Sequence, residues 1–364
     1  MKPTDLQSRV IAFMRFPLIV VALLMHCNFT TLGGEWASLP FASGFINVVS
    51  QRIAPMAYLF FFFIAGYLFF KTGQFSADIY IKKLARRAFS LLMPFALWNI
   101  LFLLLCIIIG LFTGNVPILG IPFDNMSFAD AMKSFWNISM IQGGSHIAAP
   151  IDIPLWFVRD LMVIMLLSPL VFLAVKLFII LGGKRPLVRY LLFMAVIFAI
   201  GYWPDITGLN PDGFLFFAYG AYYGIRKKEF IVAMLPYTLP AFIMLCIVMV
   251  IEIFLPCTFI YRLEYVVALV FGLSLTTIMV RAGTWYVNMT LANGSFFIFA
   301  CHYMLLGPIV AILGKGWIMP HSSWLALLIY LVTPAIVVAL GMLLYWLMRT
   351  RLPFTTFILM GGRR

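Results

Sequence analysis

The residues in this chain best suited to chemistry are two histidines and a set of cations embedded in apolar surroundings. Arg15 and His26 are separated by the wholly apolar stretch FPLIVVALLM. On a helix this spacing is slightly more than three turns, so both side chains project from nearly one face, about 16 Å apart along the axis. A guanidinium holds phosphate oxygens through charge-assisted hydrogen bonds, and an imidazole moves protons near neutral pH. One helix face could thus anchor a phosphorylated substrate at one depth and transfer a proton at another. The plainer alternative is that Arg15 only anchors the inner membrane boundary and His26 is a hydrogen-bonded packing residue.

A second group lies in IKKLARRAF, residues 81–89. Lys82 and Arg86 are four apart, as are Lys83 and Arg87, so one arc of a helix carries four cations. Such a cluster suits a nucleotide's phosphates; it serves equally as a plain topology determinant. In PLWFVRDLMVIMLLSPL, residues 154–170, Arg159 and Asp160 stand close to Trp156. Adjacent helical residues diverge by about 100°, so Arg159 and Asp160 need not pair, and Trp156 also fits an aromatic belt. In SFFIFACHYMLLGP, residues 295–308, His302 falls within an apolar run, as a substrate-orienting group or as a packing residue. Glu252 and Glu264 read as interfacial. No phosphate-binding, dinucleotide-binding, metalloprotease or serine-hydrolase signature accompanies these groups, and no residues at metal-ligand spacing are expected to hold a metal. GAYYG at 220–224 is a small-xxx-small pattern suited to helix packing.

The elements that must position these residues follow from composition. Of 364 residues, 64% are apolar and 10% charged, against about 25% charged in an ordinary soluble domain. Lipid must solvate much of the chain. Because a span needs about 20 apolar residues, the sequence predicts spans near 10–31, 52–70, 88–112, 154–175, 187–203, 211–225, 230–255, 264–280, 291–313 and 324–348, the sixth being short. Pro94, Pro169, Pro236 and Pro240 fall inside them. The expected fold is an all-α polytopic bundle of about ten spans, forming one domain over 1–364. The first span follows a short basic leader but is too long for a signal core and lacks a cleavage site, so it reads as retained. Cys27, Cys106, Cys246, Cys257 and Cys301 lie mostly in apolar runs without CxxC spacing and read as packing residues.

Charge sets the orientation. With the N-terminus inside, all of the 25 lysines and arginines fall on the inner side except Arg52, Lys133, Arg159, Arg262 and Lys315. The positive-inside rule then places both ends in the cytoplasm. This bias also accounts for the net charge of +13 without a nucleic-acid partner. His146 and His321 fall in external loops. The longest loop, 113–153, is external too. In it Ser127 and Asp130 have capping-box spacing, and Phe128, Met132, Phe135, Trp136 and Met140 recur as in an amphipathic helix on the membrane surface.

Taken in series, these segments resemble acyltransferase family 3, the bacterial membrane O-acyltransferases that modify cell-envelope glycans. The resemblance rests on Arg-x10-His at Arg15 and His26, the aromatic run FFFFIAGYLFF at 60–70, IKKLARRAFSLLMP, PLWFVRDL, and the serine and histidine at 295 and 302, in the family's order. Ala65 departs from the family's usual serine before Gly66. The ten expected spans are not followed by the extracytoplasmic esterase-like domain that some members carry; if such a domain normally completes transfer, the resemblance implies an extracytoplasmic partner protein.

The resemblance implies a bacterial inner-membrane enzyme with acyl-CoA, acetyl-CoA foremost, as cytoplasmic donor and no permanently bound cofactor. It implies an extracytoplasmic glycan or glycolipid hydroxyl as acceptor. Arg15, Lys82, Lys83, Arg86 and Arg87 would hold the donor's phosphates, His26 would be the general base, and Trp156, Arg159, Asp160 and His302 would orient substrates. Direct transfer and an acyl-His intermediate both fit. Two other classes compete: a transporter or flippase of lipid-linked glycans, which internal repeats and interrupted helices would favour, and a non-catalytic assembly factor.

Overall fold

A computed structural model describes residues 5–204, 206–314, 318 and 320–363. Lys2, Lys315 and Arg364, counted above among the basic residues, lie outside the described residues. Among the described residues, seven helical stretches are long and apolar enough to cross a bilayer: Leu6–Leu32, Pro40–Phe70, Ala77–Thr113, Phe230–Phe254, Thr258–Arg281, Met289–Leu313 and Ser323–Arg351. A bent pair, Ile153–Leu166 with Ser168–Gly182, brings the number to eight. Helices satisfy their own backbone hydrogen bonds, which is why so apolar a sequence resolves into them. The expected fifth and sixth spans form the helices Pro186–Ile200 and Pro211–Ile225, each of 15 residues. The described residues therefore fit the all-α polytopic class, and ten spans would require both of these short helices to cross as well.

Prolines account for the main departures from the expected spans. The stretch 154–175, read as one span, is broken by a 68° bend at Leu167. Pro169 has no N–H to bond the carbonyl of Met165 and its ring would clash there, so a second helix starts at Ser168 with Pro169 in its first turn. Pro236 lies in a 3-10 turn, and Pro240 in the opening turn of Thr238–Phe254, where a missing N–H costs little. Pro94 is absorbed differently. A π-helical turn at Ala88–Leu92 precedes it and the apolar stretch continues to Thr113.

The chain divides into two compact units, each drawn from three separate stretches. The first comprises Met1–Leu18, Met56–Leu84 and Val163–Ala292. Its centre is the close crossing of Met56–Phe70 with Pro211–Ile225. A Cβ added to Gly66 would fall onto the carbonyl of Phe217, and one added to Gly220 onto the carbonyl of Phe63. GAYYG thus has the packing role its spacing suggested. Because backbone meets backbone, no side chain can yield. Gly220→Ala is therefore expected to destabilise by at least the 1–3 kcal/mol typical of overpacking. Gly44→Ala, with open space around its Cβ, should leave thermal unfolding in detergent unchanged. Equal unfolding temperatures for the two variants would refute the close crossing.

The same unit holds an ion pair between Nε of the buried Arg262 and Oδ1 of the partly buried Asp212. Glu264, expected at the membrane interface, is also buried. The apolar outer-end sequence gave no sign that these groups face protein.

The second unit comprises Ile19–Pro55, Ala85–Met162 and Asn293–Arg364. Its loop 113–153 is a folded cap. Asn115–Val116 pairs antiparallel with Ile121–Pro122, and Val116, Leu119, Ile121, Ile138, Ile141 and Ile151 pack onto Phe102, Leu103 and Cys106 of Met93–Thr113. Ser127 and Asp130 form the expected capping box, but the helix is only Phe128–Ser134. Trp136 and Met140 consequently lie past its end. Phe128 and Met132 are exposed, as a membrane-surface helix would leave them.

Candidate active site

His26 is the last residue of Leu6–His26, the helix that also carries Arg15 without interruption. The carbonyls of a helix's last turn have no intrahelical partner. One of them, Leu24 O, accepts from Ser50 Oγ at 2.7 Å, and Ser50 Oγ is 2.9 Å from the Tyr330 hydroxyl. This buried polar tie fixes the helix end that presents His26.

His302, on Met289–Gly314, is wholly buried and meets His26 with ring centroids 5.2 Å apart. The two histidines, weighed separately in the sequence, belong to one site. His302 Nδ1 lies 2.6 Å from the carbonyl of Phe299. A carbonyl only accepts, so Nδ1 carries the proton and Nε2 presents a lone pair. That Nε2 is buried and has no hydrogen-bond partner among the described residues. Tyr303 stands edge-on to His26 at 5.4 Å.

Arg159 and Asp160, which helical geometry left free to pair or not, do pair: Arg159 Nε donates to Asp160 Oδ1 at 2.9 Å, and both are buried. The 100° divergence applies to the Cα–Cβ directions, whereas an arginine side chain is long enough to curl back. Arg159 Nη1 also donates to the carbonyl of Trp136 at 2.6 Å, and its guanidinium lies over the Trp136 ring at 5.5 Å. The ion pair thus fastens the 113–153 cap. Trp156 is half-buried beside Phe157; Phe157 stands edge-on to Phe299, whose carbonyl fixes His302.

Asp152 was missed by the sequence reading, which left it among the polar residues of an external loop. It is wholly buried, and neither carboxyl oxygen has a hydrogen-bond partner among the described residues. Its backbone N–H donates to Asn99 Oδ1 at 3.2 Å, and Asn99 Nδ2 donates to the carbonyl of Phe95 at 2.8 Å. Its neighbour Ile151 packs in one apolar cluster with Phe102, Leu103 and Cys106, and Tyr303 packs against the same cluster. Burial pushes its carboxyl well above the usual carboxylate range. The one sequence signal is an acid placed between isoleucines immediately before an apolar helix.

His26, His302, Asp152, Trp156, Arg159 and Asp160 all belong to the second unit, as do Arg86 and Arg87. Arg15, Lys82 and Lys83 belong to the first. Lys82 and Arg86 are exposed on the helix Ala77–Arg87, Arg87 is half-buried and Arg15 is exposed. Lys83 is engaged by the fold itself: Nζ donates to the carbonyl of Phe69 and lies over the Phe69 ring at 5.0 Å.

An all-α membrane protein in which a half-buried histidine meets a wholly buried one fits proton-transfer chemistry on a substrate brought into the bundle. A family model described as an acyltransferase domain matches residues 11–346. The chain belongs to this family, acyltransferase family 3, and is a membrane acyltransferase. Among curated proteins it is similar to the succinoglycan biosynthesis protein ExoH of Rhizobium meliloti (strain 1021), 27% identical over 320 residues, covering 82% of this chain and 77% of that protein. No solved structure matches.

Proposed function

We propose that this enzyme moves an acyl group, acetyl foremost, from cytoplasmic acyl-CoA to a hydroxyl of an extracytoplasmic glycan or glycolipid. The observation that carries the reading is the contact of His26 with His302 inside a family of acyltransferases. A relative named for succinoglycan biosynthesis supports a glycan acceptor. The basic bias supports an N-in, C-in arrangement in a bacterial inner membrane, with Arg15 and the 82–87 cations on the donor side.

In this reading His26, as general base, takes the proton of the acceptor hydroxyl while its oxygen forms a bond to the acyl carbon. The carbonyl π pair moves to oxygen, giving a tetrahedral oxyanion. Its collapse breaks the carbon–sulfur bond, and the proton on His26 passes to the departing thiolate, leaving free CoA. His302 Nε2, a fixed acceptor, takes a hydrogen bond from a neighbouring hydroxyl of the acceptor. Trp156, with Arg159 and Asp160 behind it, shapes the acceptor side.

The reading is tested by following radiolabel from acyl-CoA into an oligosaccharide acceptor with purified protein in liposomes; no transfer to any hydroxyl acceptor would refute it. The donor side is tested by Arg86→Ala and Arg87→Ala. Each is expected to weaken acyl-CoA binding by about 1.5–3 kcal/mol per charged hydrogen bond lost, measured by titration calorimetry on correctly inserted protein. Because Lys83 is held by Phe69, Lys83→Ala should weaken binding less. Unchanged affinity in the arginine variants would remove the phosphate clamp.

A further inference from the structure

An aspartate at the entry to a helix ordinarily turns its carboxylate onto the first free N–H groups. Asp152 occupies that position ahead of the turn Ile153–Leu155 and the helix Trp156–Leu166, yet its side chain makes no capping bond. Nor is either carboxyl oxygen hydrogen-bonded to a cation among the described residues; Arg159, seven residues further along the chain, directs Nε and Nη1 to Asp160 and Trp136. A buried carboxylate without a cation or hydrogen-bond donors carries a large desolvation cost and is relieved by taking up a proton. The group is then a carboxylic acid, with an O–H to donate.

Its position gives that O–H a use. Asp152 lies beside the same tyrosine as His26: its neighbour Ile151 belongs to the apolar cluster against which Tyr303 packs, and the His26 ring packs against Tyr303 at 5.4 Å. The unit therefore gathers one buried donor, Asp152, and one buried acceptor, His302 Nε2, both without protein partners among the described residues. A hydroxyl attacking a carbonyl needs that complement: acceptors for hydroxyl protons and a donor for the carbonyl oxygen.

We propose that the Asp152 carboxyl group donates the hydrogen bond that receives the negative charge forming on the acyl carbonyl oxygen during transfer. The proposal rests on the acyl-transfer reading above and adds an electrophile-side residue to it. Asp152 keeps its proton throughout: the oxyanion accepts the hydrogen bond, and the carbonyl reforms as the carbon–sulfur bond breaks. A neutral acid in an apolar site doing this work has a precedent in ketosteroid isomerase.

The test compares Asp152→Leu, which removes the donor at similar volume, with Asp152→Asn, which keeps an N–H donor. Removing one oxyanion donor costs about 10²- to 10³-fold in kcat, so Asp152→Leu should lose that much with acyl-CoA affinity unchanged. Asp152→Asn should recover most of the loss. Infrared spectroscopy of bound acyl-CoA labelled at the carbonyl carbon supplies a readout that a packing role would not move. The carbonyl band should lie at lower frequency in the wild-type protein than in Asp152→Leu, with Asp152→Asn close to wild type. Wild-type-like kcat in Asp152→Leu, an inactive Asp152→Asn, or a band unaffected by either substitution would each overturn the proposal. Where Asp152→Leu does not fold, the wild-type against Asp152→Asn comparison of rate and band decides alone. Absence of transfer by the wild-type protein would instead refute the functional reading itself, and the Asp152 role with it.

Discussion

His26→Ala is expected to lower the rate of acyl transfer by about 10²- to 10⁴-fold, the usual cost of losing a general base. The amount of inserted protein and the affinity for acyl-CoA should be unchanged. His26 is only half-buried and its position is secured from the backbone side, through Leu24 O and Ser50, so its ring can be removed without dismantling the helix end. His26→Gln, which keeps polarity but cannot take the proton, should fall with His26→Ala. His302→Ala should act differently. Its Nδ1–H is bound to Phe299 and its Nε2 can only accept, so the main effect is expected on the KM for the acceptor. Steady-state kinetics at saturating donor and acceptor separate the two. Most of the wild-type rate in His26→Ala would pass the role of base to His302.

The second large effect is on stability. Arg159 and Asp160 are both nearly inaccessible, and removing one member of such a pair leaves an uncompensated buried charge, at a cost of about 3–5 kcal/mol. Arg159→Met also releases the Trp136 carbonyl, and with it the cap. It should therefore unfold at clearly lower temperature in detergent, or fail to accumulate. Arg159→Met combined with Asp160→Leu should recover much of the loss, because two apolar side chains remove the stranded charge. A double variant no more stable than the additive sum of the singles would show that the pair is not coupled.

The helices were legible because apolar runs of span length leave the chain few alternatives in lipid. Ser127 and Asp130 were legible because a capping box is a local pattern. The bend at Leu167 could have been read from Pro169, since a proline without its i−4 bond breaks a helix unless a neighbour compensates. The cap was not readable: its core residues are spread over 113–153 and close only against Met93–Thr113. The site divides in the same way. His26 and His302 stood out individually, as imidazoles within apolar runs, whereas their contact is a long-range fact of packing. Asp152 was easily passed over because its one local signal, an isoleucine on either side, does not by itself separate a buried acid from a solvated one at a loop's end. Lys83 looked like its three basic neighbours until the Phe69 carbonyl and ring claimed it.

The most direct test of the central claim is sided transfer. Purified protein is reconstituted into sealed vesicles with its cytoplasmic face outward. An oligosaccharide acceptor is enclosed, and radiolabelled acetyl-CoA is supplied only outside. Label should appear on the enclosed oligosaccharide, depend on intact protein, and be lost with His26→Ala. An enclosed acceptor that stays unlabelled, while the same vesicles acylate acceptor added outside, would contradict the transmembrane transfer proposed here.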